Sequence, residues 1–381
     1  MNDLVGKYDE PLDQAHNVLK VRCIERALPA GSQDSQVLLG WILDSLGLIR
    51  SRPDGNSASD EQSGIQKIMG KCFLDDSTKG WTSDEISNVT GISPTGVHHH
   101  LVKLRDCGII SDLNIDGKRS YIVTGGSFYN AAELIKVNAL TVAKQRLRVL
   151  SESIVESSER MLVDAEKESV PFMLDIVNLG PSNLDQDELY KLSVDLGFGG
   201  DRAREGDDLH FDLIRILIDS KRPVEISQLM EKTGGSRARV GRVLDRLRSA
   251  GLVERAVVES RLTLDIFTGV TRQFKSRGID WLLNRGGISR LPESSRVSLT
   301  KMLESNSLTI EGLQTCIKPV SISKRRILIN TLGGRTPLGY RVTGSTGEEV
   351  TRSMIMGLDR VLSRISTISG RLDKVSEKEA Q

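Results

Sequence analysis

Two stretches of this chain concentrate side chains that can donate hydrogen bonds to anionic or base-edge acceptors. Ser93 to Arg105 holds His98-His99-His100 and Lys103, and Ser236 to Ser249 holds five Arg against one Asp. A guanidinium presents a planar fork of donors that fits a guanine edge or a pair of phosphate oxygens, a good base contact being worth about 1 to 3 kcal/mol. A neutral imidazole can bond to the same edges and gains charge below its ordinary pKa of about 6.5. Three consecutive His do not make a metal site: adjacent helix positions diverge, and ligand pairs need i, i+4 or similar spacing. No metal and no cofactor are expected.

The elements that must hold these side chains are written twice. Thr90-Gly91-Ile92-Ser93 leads to Val97, Leu101, Leu104 and Gly108, and Thr233-Gly234-Gly235-Ser236 leads to Val240, Leu244, Leu247 and Gly251, each position 143 residues further on. Spacing of i, i+4, i+7 puts three apolar residues on one helix face, and the glycine after them stops the helix. With that face inward, Thr95, His99 and Lys103 point outward and His98 and His100 flank them. At the same offset Gly96, His99 and Lys103 become Arg239, Arg242 and Arg246, three Arg on one exposed face, where a plain solvated face would mix charge signs. The expected contacts are Ser93, Thr95, His99, His100 and Lys103 on one helix and Ser236, Arg237, Arg239, Arg242 and Arg246 on the other. The partner they suit is double-stranded DNA, entered through its major groove.

Around each helix pair the sequence predicts small strands. In the first unit, Ser83 should cap a helix carrying Asp84 and Glu85 in its first turn. After the second helix, Ile109–Leu113 and Ser120–Val123 flank an Asp116-Gly117 turn, a hairpin or wing with Lys118 and Arg119 at its tip to reach phosphate. In the second unit, strands are expected at Leu252–Val258 and Leu262–Phe267. A third stretch imitates the pattern: a helix Thr309–Ile317, a basic helix Ser321–Leu332 with Lys324, Arg325 and Arg326, then a Gly-rich hairpin with Arg335 and Arg341. Its ending Tyr340-Arg341-Val342-Thr343 parallels Tyr121-Ile122-Val123-Thr124. Its helix does not align cleanly, because an Arg falls where a core Val should be.

Two long helices are expected to join these units. Phe128 to Val170 holds neither Gly nor Pro, and Leu140, Leu147, Ile154 and Met161 recur every seven residues, which reads as one continuous helix of about 40 residues, roughly 60 Å long. Near the C-terminus, Leu358, Val361, Ile365, Ile368, Leu372 and Val375 alternate 4-3 as a coiled-coil seam for a homodimer. The domain reading is 1–60 N-terminal helical segment and linker (polar at 51–57), 61–126 first winged helix, 127–170 connecting helix, 171–206 linker with a flexible Gly197-Phe198-Gly199-Gly200 turn, 207–285 second winged helix, 294–346 third winged helix and 347–378 dimerisation helix.

Bulk properties exclude several classes. The chain has 381 residues, net charge +1, 38% apolar residues before its 35 glycines are counted, and 4% aromatics. That is an ordinary soluble composition with room for two or three domains, and so few aromatics argue against stacking on single-stranded bases. The four cysteines have no Cys-x-x-Cys spacing, as in a reducing cytoplasm. No apolar run approaches the roughly 18 residues of a membrane span. No phosphate-binding loop, His-Glu-x-x-His or Gly-x-Ser-x-Gly motif points to an enzyme.

Asp84-Glu85-Ile86-Ser87, Gly91-Ile92-Ser93, His99-His100-Leu101, Lys103-Leu104-Arg105 and Gly108-Ile109-Ile110, followed by Asp116-Gly117-Lys118-Arg119 and Tyr121, resemble the winged helix-turn-helix of the ArsR class and the related MarR class of prokaryotic transcriptional regulators. The resemblance covers about 60 residues, and the tandem layout resembles multi-domain archaeal regulators in outline. It implies a dimeric repressor or activator with Ser93–Arg105 as recognition helix. The Cys-x-Cys pair or late-helix Asp/His cluster of metal-sensing members is missing. The fold expected is mainly α with small β wings (α+β): tandem winged helix-turn-helix domains joined by long helices, with a C-terminal coiled-coil-like helix. The function expected is a cytoplasmic, homodimeric, sequence-specific DNA-binding transcriptional regulator, whose effector, if it has one, the sequence does not reveal. The alternative is a winged-helix protein-interaction scaffold in a chromosome-organising or transcription complex, which would expose apolar residues where this chain exposes Arg.

Overall fold

A computed structural model describes residues 19–49, 63–115, 117–162, 165–166, 169–178, 187–200 and 208–379. The polar linker expected at 51–57, the turn residue Asp116 and parts of the 171–206 linker lie outside the described residues. The chain is mostly helical with small antiparallel sheets. Among the described residues no helix is long and apolar enough to cross a membrane.

The first half begins with strand β1 (Lys20–Ile24) and helix α1 (Ser35–Ser45), started by Asp34, whose carboxylate accepts from the Gln36 and Val37 N–H groups. Helix α2 (Gly64–Ile68) runs into a wider turn at Met69–Phe73, and strand β2 (Trp81–Thr82) leads into α3 (Ser83–Thr90). The cap of α3 is Thr82, one residue before the expected Ser83, in a capping box with Glu85. Gly91 turns the chain at φ +69°, open only to glycine without strain. Helix α4 (Pro94–Cys107) follows, then β3 (Ile110–Ile115), β4 (Lys118–Val123) and α5 (Phe128–Ser153), with sheet order β2-β4-β3.

The expected 40-residue helix stops at Ser153, where Ile154 is extended. Four serines between 151 and 158 weaken helix propensity there by competing for the backbone; Ser153 Oγ donates to the Val149 carbonyl. The buried stripe of α5 also differs from the heptad read in sequence: Ala131, Ile135, Ala139, Ala143 and Leu147 face inward, while Met161 lies beyond the helix and is exposed.

The second half repeats this order. Strand β5 (Met173–Val177) precedes α6 (Glu188–Asp195), started by Asp187, which accepts from the Leu189 and Tyr190 N–H groups as Asp34 does in α1. Helices α7 (Leu209–Asp219), α8 (Ile226–Thr233) and α9 (Arg237–Ser249) follow, with Gly234 at φ +65° in the place of Gly91. Then comes β6 (Val253–Val257). The strand expected at Leu262–Phe267 is instead part of helix α10 (Glu259–Asn284), kinked at Gly278. Leu262, Ile266 and Val270, each fully buried, are spaced four apart and mark a helix face; the short alternating run fitted either period. Helices α11 (Glu293–Glu304), α12 (Ile310–Ile317) and α13 (Ile322–Thr331) complete a helical unit with its own core, separate from the core that spans the rest. Strand β7 (Leu338–Val342) and α14 (Gly347–Glu379) end the chain.

No hairpin closes the third stretch. β7 pairs antiparallel with β6, in the register Val253↔Val342 to Val257↔Leu338. In the first half Ile110 pairs with Val123 in the same way, Thr124 N–H donates to Ile109 O as Thr343 N–H does to Leu252 O, and Trp81 bridges Tyr121 as Val224 bridges Tyr340. The likeness of Tyr340–Thr343 to Tyr121–Thr124 therefore marks the returning strand of the second unit, with the helical unit of α10 to α13 standing where the first half has its wing tip. The misfit Arg of α13 is Arg325. It occupies the core position of Val97 and Val240 and is buried, donating to the Val320 and Lys318 carbonyls and pairing with Glu259 at 2.6 Å.

The two halves meet through equivalent elements. β1 pairs antiparallel with β5 about the central couple Arg22↔Asp175, joined by two 2.7 Å hydrogen bonds. α5 and α14, each the helix that follows the returning strand, pack antiparallel: Asp373 accepts from the Phe128 and Tyr129 N–H groups, Lys136 donates to Ser363, and Gly347 lies against the Ser151 backbone. α1 packs on α14 of the other half, and α6 on α5. The seam read as a homodimer interface is thus filled from within the chain: Leu358, Val361, Ile365, Ile368, Leu372 and Val375 are all buried, Val375 least at 6% exposed. The N-terminal segment, whose role could not be read from sequence, supplies β1 and α1 to this junction. All four cysteines are buried free thiols; burial pushes Cys107 up to about 12 and Cys72 up to about 11, which keeps both protonated as packing residues.

Candidate nucleic-acid interface

Helix α4 is fixed from beneath by Val97, Leu101, Leu104 and Cys107 and started by Ser93, whose hydroxyl accepts the Gly96 N–H at 3.3 Å. Thr95, His98, His99 and Lys103 are exposed on its outer face, as is the capping Ser93. His98, expected only as a flank, joins the exposed set. His100 leaves it. Its ring lies over Gly64 at the start of α2, where a Cβ would collide with the imidazole. Burial first, then the neighbouring His99 and Lys103, hold its pKa below the ordinary value, so it is a neutral packing residue at pH 7.

Beside α4, Lys118 and Arg119 are exposed at the wing. Arg119 pairs with Asp112 at 2.8 Å and covers the Tyr121 ring. Both partners of that pair are solvent-exposed, so the pair is worth little and its guanidinium can be exchanged to another anion at small cost.

In the second half, Val240, Val243, Leu244 and Leu247 hold α9 down, and Ser236, Arg237, Arg239 and Arg242 are exposed. Arg246 does not join them. From the equivalent position Lys103 reaches solvent, but the Arg246 guanidinium turns to the loop after α6 and donates to the carbonyls of Phe198 (3.2 Å) and Gly199 (3.0 Å). The glycine run read as a flexible turn is therefore tethered. A helical face count gives the direction of a side chain but not the reach of a loop from the neighbouring element.

The basic triplet of α13 is likewise divided. Lys324 is exposed, Arg325 is buried as described, and Arg326 binds Glu166 through both carboxylate oxygens at 2.8 Å. Arg341 is 1% exposed and paired with Glu254 at 2.9 Å, whereas Arg335 is exposed. Among the described residues no group of three His, Cys, Asp or Glu side chains is placed to hold a metal ion.

Sequence reasoning missed residues that join the two halves: Arg22 and Asp175 at the strand junction, and Arg146 of α5, which lies 3.8 Å from the buried Asp195 of α6. A second repeat carries the signal. Asp34 and Asp187 each start a short helix that ends at Leu46-Gly47 or Leu196-Gly197, with the same pattern of closing backbone bonds.

Residues 81–112 match the bacterial regulatory protein, arsR family, a stretch running from β2 through α3 and α4 into β3. No curated protein and no solved structure matches the chain. The segment from β2 into β3 is thus similar to an ArsR-type helix-turn-helix.

Proposed function

We propose that this protein is a transcriptional regulator that binds double-stranded DNA, with α4 as one major-groove reading helix and α9, in a second winged helix-turn-helix, as another. The carrying observation is that the ArsR-type match falls on the segment whose outward face exposes Thr95, His99 and Lys103 beside the basic wing. Lys118 and Arg119 add phosphate contacts, which give affinity without sequence choice. On α9, Arg237, Arg239 and Arg242 supply the forks suited to guanine edges.

The test is affinity for a mixed-sequence duplex across a salt series. Wild type is expected to bind with a steep salt dependence, because each neutralised phosphate releases counterions. Lys103→Ala lowers the salt slope by about 1. Arg246→Lys leaves affinity within about twofold, since that guanidinium is committed to the Phe198 and Gly199 carbonyls. Absence of duplex binding at low salt moves the protein to the interaction-scaffold reading. The observation favouring that reading is the helical unit of α10 to α13, which takes the place of a basic wing tip in the second half.

A further inference from the structure

We propose that a single chain does the work of a regulator dimer, binding as a monomer to an asymmetric DNA site made of two unlike half-sites, one under α4 and the other under α9. The inference rests on the DNA-binding reading above and specifies its target.

In a two-fold dimer, residue i of one subunit meets j of the other while j meets i. The junction between the halves has this form within one chain. β1 and β5 cross antiparallel at Arg22 and Asp175, which are also equivalent positions, each 12 residues before its capping Asp34 or Asp187. α1 lies on α14 while its equivalent α6 lies on α5. Phe128 and Gly347 start equivalent helices, and the contacts Tyr129 to Asp373, Lys136 to Ser363 and Ser151 to Gly347 run antiparallel along them, crossing at the middle of α5. One pseudo-two-fold axis therefore relates the strand pair and the long-helix pair.

The two reading helices share this frame, since α4 packs against β1 and α9 against its equivalent β5. Two-fold regulators enter successive major grooves about 34 Å apart with their paired reading helices, and identical subunits then select palindromes. Here the two helices are unlike. α9 exposes Arg237, Arg239 and Arg242, and α4 exposes Thr95, His99 and Lys103. The half-site under α9 is the guanine-rich one, and the half-site under α4 differs from it.

Dimerisation along the long helices is also unnecessary, because equivalent buried positions are complementary in size. Near the crossing, Ala139 corresponds to Leu358 and Ala143 to Leu362, all four buried. Pairing α5 with a second α5 would set alanine against alanine near its middle, whereas α14 brings Leu358 and Leu362 to that crossing.

The experiment selects bound duplexes from a random pool with the full-length chain, then measures the mass of the complex by sedimentation and the footprint on the selected duplex. The expected result is one chain per duplex, a non-palindromic selected sequence, and two protected major-groove tracts one turn apart on one face. Arg239→Ala with Arg242→Ala then lowers affinity about 10- to 100-fold and relaxes selection in the guanine-rich half alone. His99→Ala with Lys103→Ala relaxes the other half alone. Two chains on a palindrome, or both variants relaxing the same half, overturns the inference and leaves the DNA-binding reading standing. No binding to any duplex at low salt removes both.

Discussion

The two halves share a frame and differ at its edges. In both, a capped short helix, a helix pair turned at a left-handed glycine, a paired strand and a long helix follow in the same order. At the tip of the paired strands the first half pairs Ile115 with Lys118, with Arg119 beside it, and the second has the whole unit from α10 to α13. At one position of the reading helix, Lys103 is exposed and Arg246 is tethered. Inside the junction, alanines of α5 stand where α14 has leucines. Positions that close each half on itself are alike. Residues at the junction, at the strand tips and along the outer faces of the reading helices differ between the halves.

The size exchange along the long helices is the sharpest part of that comparison and has the largest expected effect. Leu358→Ala puts the first half's residue into α14 at a fully buried position, leaving a cavity worth about 2 to 5 kcal/mol of stability. It should appear as a lower urea midpoint at unchanged slope. Adding Ala139→Leu restores volume near the middle of the same helix pair and should recover at least half of the loss. If the double variant falls further than the single one, the two positions do not share a packing space.

The next effect concerns Asp195, 2% exposed, where the first half has Ser45. Burial pushes the Asp195 carboxyl up to about 6, against the lowering influence of Arg146. A folded-state pKa raised above the unfolded value of about 3.9 means that the native state holds the proton longer. Stability therefore falls as pH rises from about 4 through about 6, and the whole cost is present above that window. Asp195→Ser should raise stability at pH 7.5 by on the order of 1 to 3 kcal/mol, with the gap closing below pH 4. Thermal unfolding at the two pH values checks this. Wild type melting higher at pH 7.5 would mean that the Arg146 ion pair outweighs burial.

Much of this frame could be read from sequence, and the failures have physical causes. The helix pairs were legible because Val97, Leu101 and Leu104, and their counterparts 143 residues on, bury one face whatever surrounds them. The strand ending Tyr340–Thr343 was legible as a copy of Tyr121–Thr124. Its partner was not, because alternation identifies a strand but not which strand it joins across the 80 residues that separate Val257 from Leu338. The α14 stripe from Leu358 to Val375 was legible as a seam, yet periodicity is silent on whether a seam is filled by another chain or by α5. Arg246, Arg325 and Arg326 stood on basic faces in sequence. Carbonyls and carboxylates brought by distant elements turned them inward.

The smallest expected effect comes from the largest change. The unit from α10 to α13 leaves the second half at Val257 and returns at Leu338, which are cross-strand partners, so its two ends lie about 5 Å apart. That separation is what a two-residue hairpin turn spans. The unit also buries its own core, from Leu262 to Leu332, as an independently folding domain must. Removing residues 258–337 and joining Val257 to Leu338 through the first half's Ile115-Asp116-Gly117-Lys118 should therefore leave the parent frame folded. At the boundary the deletion breaks the Arg326 pair with Glu166 and uncovers Val257 and Leu338, a cost of about 1 to 2 kcal/mol. A single unfolding transition with a midpoint near that of wild type is the expected outcome. A shortened chain that does not fold would show that the second half depends on its inserted unit for stability, and the equivalence of the two strand pairs would then be one of register alone.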